Sequence, residues 1–392
     1  MLPLLLLLLP SQLGRHFWPS WSLVHGIRVD YLSPTLFFTD VLILIILLSS
    51  QIRPRVPLPV IIFAILNILI SSFPFAAIFS WLRVLEYYWL FKYLVSRTHY
   101  PLSTIHYPLS FAVIWASALT WLQFFKQGSL GGLFYWLGER TFNISTPGIA
   151  RISLAGHLLL RPYATLPHPN ALAGFLLAAG LIIYYFNSQK RITFGTWSLV
   201  IAGITIPVTF SRTAALLEVL LLITWLISKI KIKTAKTIIA LSACLLLFSS
   251  FALVPGNPSS FSERVFLVQK SLTLIKNHPL TGVGLGNFIP SPYSLFPTPY
   301  SLTFQPVHNI FLLLASELGI PAILFVAYWV IKLMSRLLRL ADWSLVFSFL
   351  SILLTGIVDH YWLTLHQNSL LMIVLLSIIW IRLQRANEPS TY

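Results

Sequence analysis

His308 and Asn309 close a polar loop and run straight into Ile310-Phe311-Leu312-Leu313-Leu314, with Gly319 after nine intervening residues. An imidazole can take up a proton near neutral pH, so a histidine at the edge of an apolar block is a candidate general base. Its aliphatic neighbours can do no chemistry. Glu317 lies about half a revolution from His308 on a continuous helix, so it is expected to pair with a basic group on another segment. Two arginine elements precede this one. Ser211-Arg212-Thr213 is wedged between two apolar blocks, where a lone arginine is costly unless it is paired, bound to a ligand or snorkelling to the interface. Ser262-Glu263-Arg264 opens an amphipathic stretch that continues through Phe266, Leu267, Lys270, Leu274 and Lys276 to His278-Pro279. Such a helix is expected to lie along a membrane surface with its basic side turned to an aqueous cavity.

The elements that must position these groups are apolar. Hydrophobic residues make up 57% of the 392 and charged residues 9%, in blocks long enough to cross a bilayer. A soluble helical core would need charged outer faces, and most blocks have none. The blocks run approximately 35–50, 57–73, 76–94, 108–125, 169–186, 194–210, 213–228, 237–254, 318–334, 343–359 and 369–382. The predicted fold is therefore an all-α polytopic membrane bundle of eleven transmembrane helices, or twelve if the leucine run Leu4 to Leu9 is a first one. That run could equally be a truncated helix or a remnant of a signal-like segment. The whole chain, 1–392, reads as one membrane domain.

Lysine and arginine set the orientation, because cytoplasmic loops retain them. Arg53/Arg55, Lys92/Arg97, Lys190/Arg191, Lys229/Lys231/Lys233/Lys236, Lys332/Arg336/Arg339 and Arg382/Arg385 all fall on one side if the eleven blocks alternate strictly. The C-terminus is then cytoplasmic. The long loops 126–168 and 255–307 lie outside with His308, the second containing short amphipathic helices. Topology explains much of the net charge of +16. Arg140, Arg151, Arg161, Arg212, Arg264, Lys270 and Lys276 stand against the insertion rule and suggest an anionic partner outside. A phosphate or pyrophosphate carried on a lipid suits scattered guanidinium groups better than a nucleic acid does.

Other features read as structural. Cys244 is alone, so no disulfide forms within one chain. No His-Glu-x-x-His or Asp-x-Asp arrangement suggests a metal, and Asp359 and His360 would diverge if they sat on one helix, so metal-free and cofactor-free chemistry is expected. Arg83 and Glu86, three apart, are expected to neutralise each other. Asn170 sits where a helix N-cap belongs. Gly282, Gly284 and Gly286 lack the spacing of a dinucleotide fingerprint and read as a tight external loop, with an anion cradle as the lesser alternative. The aromatics between 288 and 306 suit glycan stacking or interface anchoring equally.

Taken in order, these pieces resemble the O-antigen ligase and polymerase superfamily of bacterial membrane glycosyltransferases. The resemblance rests on Ser211-Arg212, Ser262-Glu263-Arg264, the stretch Asn277 to Phe288, His308-Asn309 with Glu317 and Gly319, and the Arg161 to Asn170 passage. It covers about residues 160–330, the ligase-related core. It implies transfer of a glycan from an undecaprenyl-pyrophosphate carrier to a glycan, glycolipid or protein hydroxyl, outside the bacterial cytoplasmic membrane, without metal and with inversion. On the matching positions, His308 resembles the catalytic histidine, and Arg212 and Arg264 the pyrophosphate-gripping arginines, with Arg161 and Lys270 as further donor contacts. Asn309, Glu317 and Gly319 are supporting residues. Lipopolysaccharide ligases carry a second histidine shortly after the motif glycine, where this chain has Ile320-Pro321-Ala322. Repeat-unit polymerase and protein O-oligosaccharyltransferase therefore stand as alternatives to ligase. From another class, a flippase for an anionic lipid-linked glycan is the alternative, although no repeated halves are visible.

Overall fold

A computed structural model describes the chain apart from residues 25, 51, 53–54, 98–102, 155, 191–192, 230–257, 291–303 and 388–392. The architecture is helical, with three two-stranded antiparallel ribbons among the described residues. The helices are α1 (Leu2–Leu7), α2 (Phe38–Ser49), α3 (Leu58–Leu69), α4 (Pro74–Ser96), α5 (Ser103–Lys126), α6 (Pro169–Lys190), α7 (Thr193–Thr205) and α8 (Arg212–Lys229). They continue with α9 (Pro258–Asn277), α10 (Ile310–Leu318), α11 (Ile320–Leu340), α12 (Trp343–Val358), α13 (Tyr361–Thr364) and α14 (His366–Asn387). The ribbons pair β1 (Gly14–His16) with β4 (Thr35–Phe37), β2 (Leu23–Val24) with β3 (Ile27–Arg28), and β5 (Arg151–Leu154) with β6 (His157–Leu160).

Ten of the eleven apolar blocks coincide with helices, and the block 237–254 lies outside the described residues. Among the described residues, four segments are long and apolar enough to cross a bilayer: Thr104–Lys126, Pro169–Ser188, Ile320–Leu340 and His366–Ala386. Phe38–Ser49, Leu58–Leu69, Phe194–Thr209 and Trp343–Val358 are apolar but shorter. A helix of twelve residues rises only about 18 Å, less than a hydrocarbon core of about 30 Å. The predicted spans are thus unequal in length. The leucine run forms α1, whose Leu5 and Leu6 are fully enclosed in the main core, and Trp115 Nε1 on α5 donates to its Leu7 carbonyl at 3.0 Å. At six residues α1 packs without spanning.

Helix α6 is the central pillar: 83% of its apolar window is enclosed, against 6% for α11 at the edge. Ala171, Ala173, Gly174, Ala178 and Ala179 explain this, since small side chains let neighbouring helices approach closely in an apolar solvent. A Cβ on Gly174 would fall 2.2 Å from the Tyr361 hydroxyl oxygen, so α13 sits directly against α6. Arg83 of α4 does meet Glu86 at 2.6 Å, but it also grips both carboxylate oxygens of Asp40 at 2.6 and 2.9 Å. The neutralising partner on α2 was not visible in the local spacing.

Two loops hold the site in place. Gln123, fully buried near the end of α5, donates to the Ala164 carbonyl at 2.8 Å and accepts from the amides of Tyr163 and Ala164 at 2.9 and 2.8 Å. It thereby fixes the segment between β6 and α6 that carries Arg161. The loop after α9 lies along the joint between α10 and α11, where the amides of Val283 and Gly284 donate to the Ser316 and Glu317 carbonyls at 2.9 and 3.1 Å. Gly319 makes that joint at φ 84°, and a Cβ there would meet the Leu280 carbonyl carbon at 2.5 Å. No other residue type fits both demands. The glycine run is a tight loop, as its composition suggested, and its anion is the protein's own: the Phe288 amide donates to Glu317 Oε1 at 3.2 Å.

Candidate functional site

His308 sits just before α10, partly buried, with Nδ1 3.4 Å from Asp359 Oδ1 and Nε2 3.2 Å from Gln305 Oε1. The first distance is longer than an N–H···O hydrogen bond, so Nδ1 is a buried atom without a hydrogen bond. Asn309 anchors the backbone that carries the ring. Its Oδ1 caps α10 by accepting from the amides of Phe311 and Leu312, both at 2.9 Å, and its Nδ2 donates to the Ile357 carbonyl at 3.0 Å. The last turn of α12 has carbonyls with no partner inside the helix, and the site uses two of them. Arg264 Nη1 on α9 donates to the next one, Val358, at 3.1 Å. The negative end of the α12 dipole favours the guanidinium there.

Asp359 follows in the break between α12 and α13. The chain is not helical at this point, so the expectation that Asp359 and His360 diverge on one helix is corrected. Asp359 Oδ1 accepts from the His360 amide at 2.8 Å, and its Oδ2 accepts from Asn170 Nδ2 at 3.1 Å. Burial works to raise the Asp359 carboxyl, but His308, His360 and His168 overcome it and hold the group below the usual carboxylate range. Burial lowers His360 to about 3 against the opposing pull of Asp359.

Asn170 is not an N-cap, because α6 already begins at Pro169; the side chain that accepts from an amide at this end is His168, whose Nδ1 takes the Asn170 N–H at 3.1 Å. The Asn170 amide instead joins two ions, accepting from Arg161 Nη2 at 2.7 Å and donating to Asp359. Arg161 Nε donates to the Thr209 carbonyl at 2.9 Å, beside the residue pair that opens α8. Burial brings the Arg161 guanidinium down to about 10, with the like charges of Arg212 and Arg264 adding to the effect while Tyr163 and Asp359 oppose it. These couplings put Arg161, Arg212, Arg264 and Asp359 in one electrostatic neighbourhood. Arg212 itself stands at the first position of α8.

Lys270 and Glu317 lie elsewhere. Lys270 shares an inward face of α9 with Leu267, Ser271 and Leu274, all buried, and its Nζ donates to the Ile289 carbonyl at 3.2 Å and lies 5.0 Å from the Phe288 ring centre. The prediction that the basic side of this helix faces a cavity therefore fails at Lys270, which is three residues from one core leucine and four from the next. Among the described residues Glu317 takes no basic partner; it accepts from the glycine loop, and burial raises it to about 7 against the two backbone hydrogen bonds. Sequence reasoning missed Asp359 and Asn170 as members of the His308 cluster. Asn170 in the first turn of a helix and the Asp359-His360 pair after another were the available signals.

One ligand atom each from His308, Asp359 and His360 lie within 4.8 Å of one another, a set that could hold a metal ion. Two imidazoles and a carboxylate suit zinc or a similar transition ion better than calcium or magnesium. Chemically the cluster offers a histidine with a carboxylate behind it and a group of guanidinium ions beside it.

Residues 197–327 match the family model described as O-antigen ligase. The match supports membership of the O-antigen ligase and polymerase superfamily. The matched part contains Arg212, Arg264 and His308, whereas Arg161 and Asn170 precede it and Asp359 follows it. A comparison with curated proteins finds no match. The family match and the apolar helices together support a multi-pass membrane protein of the ligase and polymerase type.

Proposed function

We propose that the protein transfers a glycan from an undecaprenyl-pyrophosphate donor to an acceptor hydroxyl on the outer face of the cytoplasmic membrane. The observation that carries the reading is the chain of contacts from His308 through Asp359 and Asn170 to Arg161, at 3.4, 3.1 and 2.7 Å. It couples a base to an anion clamp. In the structure Nε2 faces the accepting Gln305 Oε1 at 3.2 Å; for the reaction the acceptor replaces that contact, the ring's proton sits on Nδ1 towards Asp359, and His308 presents the Nε2 lone pair to the acceptor. The acceptor oxygen attacks the anomeric carbon, its proton passes to Nε2, and the bond from that carbon to the pyrophosphate oxygen breaks with the electron pair leaving on oxygen. Arg161, Arg212 and Arg264 stabilise the charge that grows there. Asp359 stabilises the imidazolium that forms. Attack opposite the leaving group inverts the anomeric centre, and no step needs a metal.

The outward placement follows from the basic turns of the sequence. The acceptor distinguishes ligase from repeat-unit polymerase and protein O-oligosaccharyltransferase. Detergent-purified protein incubated with a defined lipid-linked oligosaccharide and glycan, glycolipid or peptide acceptors tests the proposal, with product masses as the readout. A glycosylated acceptor with release of undecaprenyl pyrophosphate is expected. No product with any acceptor, alongside donor movement across vesicles, would instead establish a flippase.

A further inference from the structure

The mechanism uses His308 and Asp359 but gives His360 no task, although its ring lies 5.0 Å, centre to centre, from that of His308. The tautomer of His360 follows from its surroundings. We take the one proton of Thr364 Oγ1 to lie towards the His360 carbonyl at 3.1 Å, which leaves the same oxygen to accept from His360 Nδ1 at 2.7 Å. Nδ1 therefore carries the proton, and the lone pair is on Nε2. A histidine held by such a hydrogen bond on one nitrogen is arranged as metal-binding histidines are, with the other nitrogen free to ligate. The buried His308 Nδ1 makes no hydrogen bond, and Asp359 Oδ1 stands 3.4 Å from it.

We propose that His308 Nδ1, Asp359 and His360 Nε2 form a binding site for a zinc-class divalent ion, and that its occupancy inhibits transfer. Bond lengths of about 2 Å around such an ion set its ligands roughly 3.4 Å apart. The widest separation in the cluster, within 4.8 Å, must then shorten by about an ångström, and the partly exposed His308 ring has room to turn. A fourth position stays open for water. The neighbouring Arg161 and Arg264 oppose a second positive ion, which keeps the ion exchangeable rather than permanent. Inhibition follows from the imidazole itself, and rests on the proposed role of His308 as base. An ion on Nδ1 consumes that lone pair, the ring's one proton moves to Nε2, and Nε2 can no longer accept the acceptor's proton.

The test uses the full chain in detergent, stripped with a chelator, with Zn2+ titrated calorimetrically and Co2+ as an optical probe of ligand geometry. Wild type is expected to bind one ion per chain, and His360→Phe, which keeps a ring, to bind about tenfold more weakly or not at all. His360→Gln serves where the Phe variant does not fold. In the transfer assay Zn2+ is expected to inhibit wild type reversibly and to leave the His360 variants unresponsive. No binding by wild type, or binding unchanged in a folded His360 variant, overturns the site. Binding that depends on His360 while transfer is undiminished or rises overturns the inhibition. The calorimetry and the Co2+ spectrum stand without any transfer, so failure of the glycosyltransferase reading is separable from failure of the site.

Discussion

Asp359 divides its two oxygens among His308, the His360 amide and Asn170, and in the proposed reaction each contact constrains a different part. If it stabilises the imidazolium, Asp359→Asn lowers kcat by about a hundredfold while donor affinity stays near wild type, measured by initial rates and by lipid-donor binding. Arg161→Gln acts on the other side of Asn170. It is expected to weaken donor binding by roughly tenfold, read by the same binding measurement, because a charge-assisted contact to phosphate is lost. His308, Arg212 and Arg264 could be singled out as candidates in the sequence because an ion beside an apolar block is conspicuous. Asp359 and Asn170 were hidden, since both have respectable local explanations at helix ends and their partners come from distant segments. Lys270 misled for the opposite reason: a lysine on an amphipathic stretch looks solvent-facing until the leucines three and four residues away are counted as core.

At the scale of elements, helix joints set the site. Gly174 lets α13 rest on α6, and the position of α13 fixes the break that carries Asp359. Gly174→Ala, favourable for a helix in isolation, drives a Cβ to 2.2 Å from the Tyr361 hydroxyl oxygen. A loss of about 1–3 kcal/mol in stability and a fall in transfer are expected, checked by thermal unfolding and assay. Glu317 ties the glycine loop to α10. With its carboxyl raised to about 7, the folded protein holds a proton that the unfolded chain has released above the ordinary glutamate value. Stability from this group is therefore present at low pH and is lost as pH rises through about 7. Glu317→Gln should flatten that part of the dependence, seen as a smaller change in Tm between about pH 5 and about pH 8. The glycine run itself was readable as a loop, whereas its carboxylate partner was not, because nothing in the spacing links Phe288 to Glu317.

For the whole molecule, hydropathy located the helices well and their lengths poorly. Blocks such as 35–50 and 57–73 become helices of twelve residues because the flanking residues form a strand or turn, even though their side chains are apolar. In the proposed orientation the loop that carries Ser145 lies outside and Ser335, near the basic end of α11, lies inside. In a Cys244→Ser background, Ser145→Cys should react with a membrane-impermeant maleimide in intact cells, and Ser335→Cys should react only after permeabilisation. The most direct test of the central claim is single-turnover transfer by purified His308→Ala and His308→Gln with saturating lipid-linked donor and acceptor. Loss of transfer by about a hundredfold or more, with donor binding preserved, is the predicted result. Transfer at the wild-type rate would contradict it.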